Sequence, residues 1–250
     1  MSENHLLAAL SIKERERLLP KLERVPLPLG DVIYEADERI RHVYFPTSGV
    51  VSVLCTTDDG ASIEAATVGP EGMAGIPVFL GVDVSPNRAL VQIAGEALRM
   101  EAEVFRELAD RNSRFHSLLH LYTYALMNQM SLSVACNRFH NVEKRFARWL
   151  LVIHDRVDSD EFLLTQEYIS RMLGAHRPHV TTAARGTAAW TASSDAATRR
   201  SPAASPSPMW APGWVTSSGM PSASHRDTSS TNSPMLRSRS ASSGDARLIR

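Results

Sequence analysis

Basic and polar side chains are concentrated in the segment Leu164 to Arg185, LTQEYISRMLGAHRPHVTTAAR. Thr165 can cap a helix that begins with Gln166, and Gly174 supplies the left-handed backbone conformation that ends such a helix. Arginine, histidine and threonine side chains then follow at the start of a second segment, where they can hydrogen bond to the base edges of DNA. The side chains presented in this way are Arg177, His179, Thr181, Thr182 and Arg185.

The elements that must position these side chains are two short helices. Pro178 is tolerated in a first helical turn, so a second helix is predicted to begin near Arg177. Two short helices joined by a glycine turn make a helix-turn-helix, whose second helix enters the DNA major groove. A helix, a glycine and a second helix also occur in many proteins that never touch DNA, and this alternative stays open. With Thr165 and Gln166, the five side chains above form the predicted double-stranded DNA site.

The pattern L-T-Q-E-x-I-x-x-M-L-G-x-x-R-x-x-V of residues 164–180 resembles the winged helix-turn-helix of Crp/Fnr-type bacterial transcription regulators. The resemblance places Arg177 on the family's base-reading arginine, which is expected to bind a guanine through two hydrogen bonds. Pro178 lies where many members carry a second base-reading residue, often Glu, and Thr182 lies where the best-known members carry Arg. The operator sequence of those members is therefore not expected here. The resemblance also implies a homodimer without enzymatic activity and allows RNA polymerase as a further partner.

Composition limits the class of protein. The 250 residues are 43% hydrophobic, with no run of 18 apolar residues and no basic-then-apolar leader, which predicts a cytoplasmic protein without a membrane partner. Cys55 and Cys136 are too few for a disulfide framework, an iron–sulfur cluster or a structural zinc site. We therefore expect no metal and no cofactor other than an unidentified small-molecule effector. Residues 1–186 carry 20 basic and 24 acidic residues (27 − 7 and 27 − 3), which permits DNA binding through a local basic face.

The N-terminal half predicts a β domain after a helical entry. Leu6 to Leu22 has helical apolar spacing with Ser11 as a cap, and from Val25 to Ala102 the period becomes that of strands separated by Gly, Pro and Asp-Asp-Gly turns. This predicts a small antiparallel barrel or sandwich. The run from Gly30 to Tyr34, followed by HVYFPTSGVVSV, resembles the opening of the cyclic-nucleotide-binding jelly roll. The predicted fold class is α+β: an antiparallel β jelly roll with flanking helices, a long dimerisation helix, a C-terminal helix-turn-helix without a wing, and a disordered tail.

The jelly-roll resemblance also predicts a ligand pocket. In cyclic-nucleotide binders a turn carboxylate binds the ribose and a strand arginine, followed by Ser or Thr, binds the cyclic phosphate. Arg88 is the counterpart of that arginine but precedes Ala89, and the ribose carboxylate falls on Ala74, so Glu71 could replace it only in a rebuilt turn. A surface role for Arg88 is the alternative. We expect an effector other than cyclic AMP, or none, in a pocket formed by Gly69, Glu71, Gly72, Met73, Arg88 and Ala89.

A long helix is predicted from Ser113 to about Cys136, with an apolar stripe at three-and-four spacing. The family pairs this helix with its twin in a coiled coil, and the alternative is a helix packed only on its own barrel. His116 and His120 could share a metal, but without a third ligand hydrogen-bonded histidines are favoured. The predicted dimer residues are Leu118, Leu119, Tyr122, Ala125 and Leu126.

The following amphipathic helix, residues 141–156, carries Lys144, Arg145 and Arg148 opposite its apolar face. These basic side chains could meet DNA phosphates, although a solvated face is the simpler interpretation.

The composition changes after Gly186. Of the last 64 residues, 39 are Ser, Thr, Ala or Pro and only four are Leu, Ile, Val or Phe, which predicts disorder. The wing motif (D/A)-G-L-I of the family is missing. Codon degeneracy permits Asp-Gly-Leu-Ile-Arg to be read in another frame from the last base of the Trp190 codon. Our hypothesis is that the tail is out of frame, and it fails if the gene cannot encode those residues there.

The sequence therefore predicts four segments: a sensor domain at residues 1–112, a dimerisation helix at 113–137, a truncated DNA-binding domain at 138–186 and an out-of-frame tail at 187–250. The predicted function is a dimeric, sequence-specific DNA-binding transcription regulator. The alternative is a sensor or dimerisation module that has lost DNA binding with its wing.

Overall fold

A computed structural model describes residues 3–109, 113–157 and 166–183 of the chain. The strands are β1 (Glu23–Leu27), β2 (Val32–Tyr34), β3 (His42–Pro46), β4 (Val50–Thr56), β5 (Ser62–Val68), β6 (Arg88–Ile93) and β7 (Gly95–Glu101). The helices are α1 (His5–Ala8), α2 (Ile12–Leu18), α3 (Ile76–Phe79), α4 (Ala102–Leu108), α5 (Arg114–Phe139), α6 (Val142–His154), α7 (Gln166–Leu173) and α8, described over residues 177–183. A single 3₁₀ turn, Leu19–Lys21, follows α2.

The described strands form two antiparallel sheets. One sheet has the order β1-β7-β3 and the other has the order β2-β6-β4-β5. Side chains from both sheets, including Phe45 and Val51, meet in one buried apolar cluster. The predicted α+β jelly roll with flanking helices is confirmed. The predicted Asp-Asp-Gly turn also joins β4 to β5, with Gly60 at φ 82°.

The predicted helical entry is present as two short helices and the 3₁₀ turn. The hydroxyl of Ser11 accepts from the backbone N–H of Glu14, and the Glu14 carboxylate accepts from the backbone N–H of Ser11. This reciprocal pair is a capping box, which fixes the start of α2. The predicted cap at Ser11 is therefore confirmed.

The long helix α5 lies on the jelly roll with one face. Ser113 caps it by accepting from the backbone N–H of His116, as the sequence predicts. The buried face packs into the jelly-roll cluster through Phe115, Leu119, Tyr122 and Leu126. The opposite face exposes large apolar side chains, Leu121, Tyr124, Met127, Leu132, Val134 and Phe139.

A second apolar cluster covers the outer face of the four-stranded sheet. Val50 and Leu54 of β4 and Leu90 of β6 pack there with side chains of the C-terminal helices. Strand β4 is consequently buried on both faces, since Val51 and Val53 belong to the jelly-roll core. The C-terminal helices thus pack on the outer face of the four-stranded sheet, and this face is part of their hydrophobic core. Their buried residues are Phe146, Trp149, Ile153, Ile169, Met172, Leu173, Val180 and Ala183.

The predicted tail, residues 187–250, and the Thr165 cap lie outside the described residues. Among the residues that are described, we find no helix with the length and apolar character needed to cross a membrane.

Candidate functional site

A short turn that contains Gly174 joins α7 to α8. Gly174 has φ 55°, which a glycine adopts without steric cost. The backbone N–H of Ala175 donates to Ser170 at 3.0 Å, and α8 begins at residue 177. The Arg145 guanidinium of α6 donates to the carbonyl of Leu173 and so satisfies one of the free carbonyls at the end of α7.

The predicted DNA-contacting side chains lie on the solvent side of α8 where the structure describes them. Arg177, His179 and Thr182 are exposed and Thr181 is half-buried. The hydroxyls of Thr181 and Thr182 donate to the carbonyls of Arg177 and Pro178, at 3.0 and 3.1 Å. Thr165, Arg185 and the side chain of Gln166 lie outside the described residues.

The orientation of α8 follows from what it buries. Val180 and Ala183 are fully enclosed, in a cluster with Ile169 and Met172 of α7. The side chains of residues 176–179, at and just before the start of α8, are exposed. The helix therefore presents one basic residue, Arg177, at its exposed N-terminal turn.

Residues 69–73 form a turn that the sequence predicts to be part of an effector pocket, and we call it the effector turn. Protein contacts close this turn. The Nε of Arg156, just after α6, lies 2.7 Å from Oε1 of Glu71, and each side chain is 9% exposed. The same oxygen accepts from the backbone N–H of Gly69 at 3.2 Å. The stem of Arg156 packs so closely on Gly69 that an added Cβ there would lie 2.9 Å from it. Glu71 therefore binds an arginine of its own chain where the prediction places a small-molecule ligand.

The remaining predicted pocket residues lie in two different environments. Arg88 forms an ion pair with Glu35 at 3.0 Å, and both side chains are partly exposed. Met73 and Ala89 have no exposed surface and belong to the jelly-roll core. Ala74, the aligned position of the ribose carboxylate, pairs its backbone with Tyr44 and lies in the core. The residues present therefore do not fit a cyclic nucleotide held in the manner of the family.

The helix α5 also contacts the effector turn. The hydroxyl of Tyr122 donates to the carbonyl of Met73 at 3.1 Å, and a Cβ on Gly72 would lie 2.4 Å from the Tyr122 ring. Burial raises the pKa of the Tyr122 phenol above its ordinary range. The turn thus touches both α5 and Arg156, which lies two residues after the end of α6. The sequence motif gave no signal for Tyr122 or Arg156, because their contacts span 49 and 85 residues.

A cleft of about 360 Å³ opens elsewhere, between α3, α4 and α5. None of the six predicted pocket residues lines it; its walls include Phe79, Arg106 and His116. His116 and His120 place their Nε2 atoms 3.0 Å apart, and Nδ1 of His116 lies 3.1 Å from the carbonyl of Ala109. The described parts of the chain contain no group of three or more His, Cys, Asp or Glu side chains suited to a metal ion.

The basic side chains of α6 divide between two environments. Lys144 is exposed, whereas Arg145 and Arg148 are half-buried. Arg145 is committed to the end of α7, as described above, and burial lowers the pKa of its guanidinium. Of the three predicted phosphate-facing residues, Lys144 is the most accessible.

The five predicted dimer residues lie mostly on the face of α5 that packs on its own jelly roll. Leu119, Tyr122 and Leu126 are buried there, Leu118 packs against the same cluster and Ala125 is half-buried. A partner helix would instead meet the exposed apolar side chains of α5.

Comparison with known proteins identifies the N-terminal part of this arrangement. Residues 24–112 match the cyclic nucleotide-binding domain family. The described part of that range, residues 24–109, contains the jelly roll. The match spans β1 to β7 and includes the effector turn and Arg88, so the altered turn described above lies inside a recognisable domain of this family. No curated protein matches the sequence.

Solved structures extend the likeness beyond the cyclic nucleotide-binding domain. The c-di-GMP-responsive global regulator CLP of Xanthomonas campestris has 16% identity and a TM-score of 0.57, over 72% of this chain and 92% of that one. FixK2 of Bradyrhizobium japonicum has 16% identity and a TM-score of 0.59, over 68% and 86%. A Crp/Fnr-family regulator structure from Eubacterium rectale has 15% identity and a TM-score of 0.59, over 72% and 84%. The chain therefore has the fold of Crp/Fnr regulators.

Proposed function

We propose that this protein is a DNA-binding transcription regulator of the Crp/Fnr type that acts in the cytoplasm. The observation that supports this most directly is the exposed start of α8, where Arg177 and His179 are exposed and the following Val180 is buried. An arginine at the first turn of a second helix can form two hydrogen bonds with a guanine in the major groove. The Crp/Fnr fold of the chain agrees with this role.

We further propose that the protein works as a homodimer through α5. The exposed face of this helix carries Leu121, Leu132 and Phe139, at 43%, 56% and 79% exposure. Successive positions along this face are alternately four and three residues apart, which is the spacing of a coiled-coil seam. The positions are Leu121, Ala125, Asn128, Leu132, Ala135 and Phe139. A single Asn within such a seam favours one register. The twin helices would place the two copies of α8 on adjacent half-sites.

The proposed effector is not cyclic AMP. Glu71 and Arg88 already have protein partners, and Ala89 supplies no hydroxyl. A thermal-shift screen with cyclic AMP, cyclic GMP and cyclic di-GMP tests this, because a ligand that binds only the folded state raises Tm. Cyclic di-GMP belongs in the screen because the Xanthomonas campestris regulator responds to it. A Tm increase with cyclic AMP that Arg88→Ala abolishes would contradict the proposal.

DNA binding is tested by selecting bound sequences from a random duplex library, followed by fluorescence anisotropy at several salt concentrations. Arg177→Ala should weaken binding to the selected site by roughly tenfold to a hundredfold, with little effect on random DNA. Arg41→Ala removes an equal charge from an exposed position of the jelly roll and is the matched control.

The competing function is a sensor or dimerisation module that no longer binds DNA. It predicts only weak, sequence-independent binding that falls steeply with salt, equally in the wild type and in Arg177→Ala. Contact with RNA polymerase remains a further proposal, tested by pull-down with the purified polymerase once a binding site is known.

A further inference from the structure

A chain of buried and half-buried polar side chains crosses the contact between the four-stranded sheet and the C-terminal helices. Glu64 of β5 accepts from the Trp149 indole of α6 at 3.0 Å through Oε1. Its other oxygen, Oε2, lies 2.7 Å from the hydroxyl of Ser52 on β4, and that hydroxyl lies 2.6 Å from Oε1 of Gln92 on β6. Ser52 and Gln92 have no exposed surface. The Tyr168 phenol of α7 lies close to Ser52 and Glu64.

Apolar side chains cover one side of this network, and Glu64 also lines a small cleft. Leu54 and Leu90 of the sheet, Trp149 of α6 and Met172 of α7 belong to the cluster around it. Polar groups in such a place stabilise one arrangement strongly when all are satisfied and weaken it when any is not. The network therefore specifies how the C-terminal helices dock on the sheet.

The hydrogen positions in the network depend on the protonation of Glu64. The Ser52 hydroxyl lies between two acceptors but has a single proton to donate. With Glu64 protonated, its O–H donates to Ser52, and Ser52 donates to Gln92. With Glu64 ionised, Ser52 must donate to the carboxylate, and Gln92 must turn its amide to donate to Ser52. Gln92 Nε2 otherwise has no hydrogen-bond partner within the described residues.

We propose that Ser52, Glu64, Gln92 and Trp149 form a proton-linked latch that holds the C-terminal helices on the four-stranded sheet. Protonated Glu64 favours the docked position, because docking removes the carboxyl group from water and an ionised carboxylate loses more by this than a neutral one. The regulatory meaning of the latch rests on the proposed DNA-binding function, whereas docking itself can be measured without DNA.

The charged and titratable groups around Glu64 act in opposite directions. Burial raises the pKa of its carboxyl to about 7, whereas the hydrogen bonds from Ser52 and Trp149 and the nearby positive charges of Arg156 and Arg148 lower it. Tyr168 faces it from α7, and burial raises the pKa of that phenol above its ordinary range, so it stays neutral. Two further groups line the small cleft beside Glu64, namely Arg145 of α6 and Cys136 of α5. The latch therefore has one group that titrates near neutral pH.

The test is hydrogen exchange of the α7 backbone amides in the full chain, corrected for the intrinsic effect of pH. Wild-type protein should lose protection in α7 by roughly threefold to tenfold between about pH 6 and about pH 8. Glu64→Gln keeps an acceptor for Trp149 and a donor for Ser52 but cannot ionise. It should show the same protection at both pH values, close to that of the wild type at the lower one.

Trp149→Phe removes the indole donor and keeps an aromatic ring, so it should lose α7 protection at both pH values. Thr56→Ala is the matched control, because its hydroxyl pairs with Ser62 on the same two strands but is exposed. Protection of β3 and β7 reports whether each variant folds. If Trp149→Phe does not fold, the pH comparison between wild type and Glu64→Gln decides alone.

The proposal is overturned if Glu64→Gln shows the same pH dependence in α7 as the wild type, or if a folded Trp149→Phe keeps full α7 protection. Anisotropy with the selected DNA separates the two proposals. If neither the wild type nor any variant binds DNA specifically while the hydrogen-exchange results are as expected, the latch is supported and the proposed DNA-binding function fails.

Discussion

The Arg156 guanidinium donates to the Glu71 carboxylate at 2.7 Å, with both side chains 9% exposed. This pair joins the turn that precedes α3 to the residue just beyond α6. In the family resemblance, the same turn would supply a carboxylate to a ligand. Here it ties the jelly roll to the end of α6.

Arg156→Ala should destabilise the protein by about 3–5 kcal/mol, because it leaves the Glu71 carboxylate buried without its partner. Urea unfolding followed by circular dichroism measures the loss. Arg24→Ala breaks the exposed pair with Glu96 and should cost at most about 1 kcal/mol. If both substitutions lower the free energy of unfolding equally, the buried pair stabilises the protein no more than the exposed pair does.

Gly72→Ala should lower the free energy of unfolding by about 1–3 kcal/mol, because the added methyl would overlap the Tyr122 ring. In a Tyr122→Leu background, the same glycine substitution should cost measurably less. Thermal unfolding of the two single variants and the double variant gives this coupling. Additive effects would exclude a steric cause at Tyr122.

Stability should fall as the pH rises from about 5 to about 7.5. The folded-state pKa of Glu64 is about 7, above its ordinary value of 4.5, so the folded protein binds more protons than the unfolded chain in this window. The stabilisation is fully present below pH 4.5 and is lost as the pH passes 7, with a maximum change of about 3 kcal/mol. In Glu64→Gln, the free energy of unfolding should depend less on pH over this range. Denaturant titrations at several pH values measure it, and an unchanged slope in the variant would assign the effect to another group.

Leu132→Glu should weaken the proposed homodimer. Leu132 is 56% exposed on α5, so a charge there costs little in the single chain but would be buried in a coiled coil. Sedimentation equilibrium measures the dimer dissociation constant, which should rise by at least roughly tenfold. Val82→Glu is the control, because Val82 is 50% exposed outside α5. A dimer that Leu132→Glu leaves intact would show that another surface forms it.

The local elements were predictable because they depend on neighbours in sequence. Ser11 and Ser113 cap helices through backbone groups three residues away, and Gly174 ends α7 through its own backbone conformation. The period of the strand segments likewise predicted a small antiparallel barrel or sandwich, since successive side chains of a strand point to opposite faces.

The side-chain roles that involve distant partners were not predictable. Periodicity showed that α5 has apolar residues but could not tell which of them pack on the jelly roll and which remain for a partner, because both faces carry large apolar side chains. The same limit applied to Glu71, whose partner is 85 residues away.

The sequence by itself determined the helices, strands and turns, the family resemblance and the candidate DNA-reading residue Arg177. Only the tertiary structure decided that the effector turn is closed by Arg156, that α5 buries Leu119, Tyr122 and Leu126 within its own chain, and that Glu64 lies under the C-terminal helices. The physical reason is that backbone conformation follows from local sterics and hydrogen bonds. Burial and charge pairing instead depend on which distant segments the fold brings together.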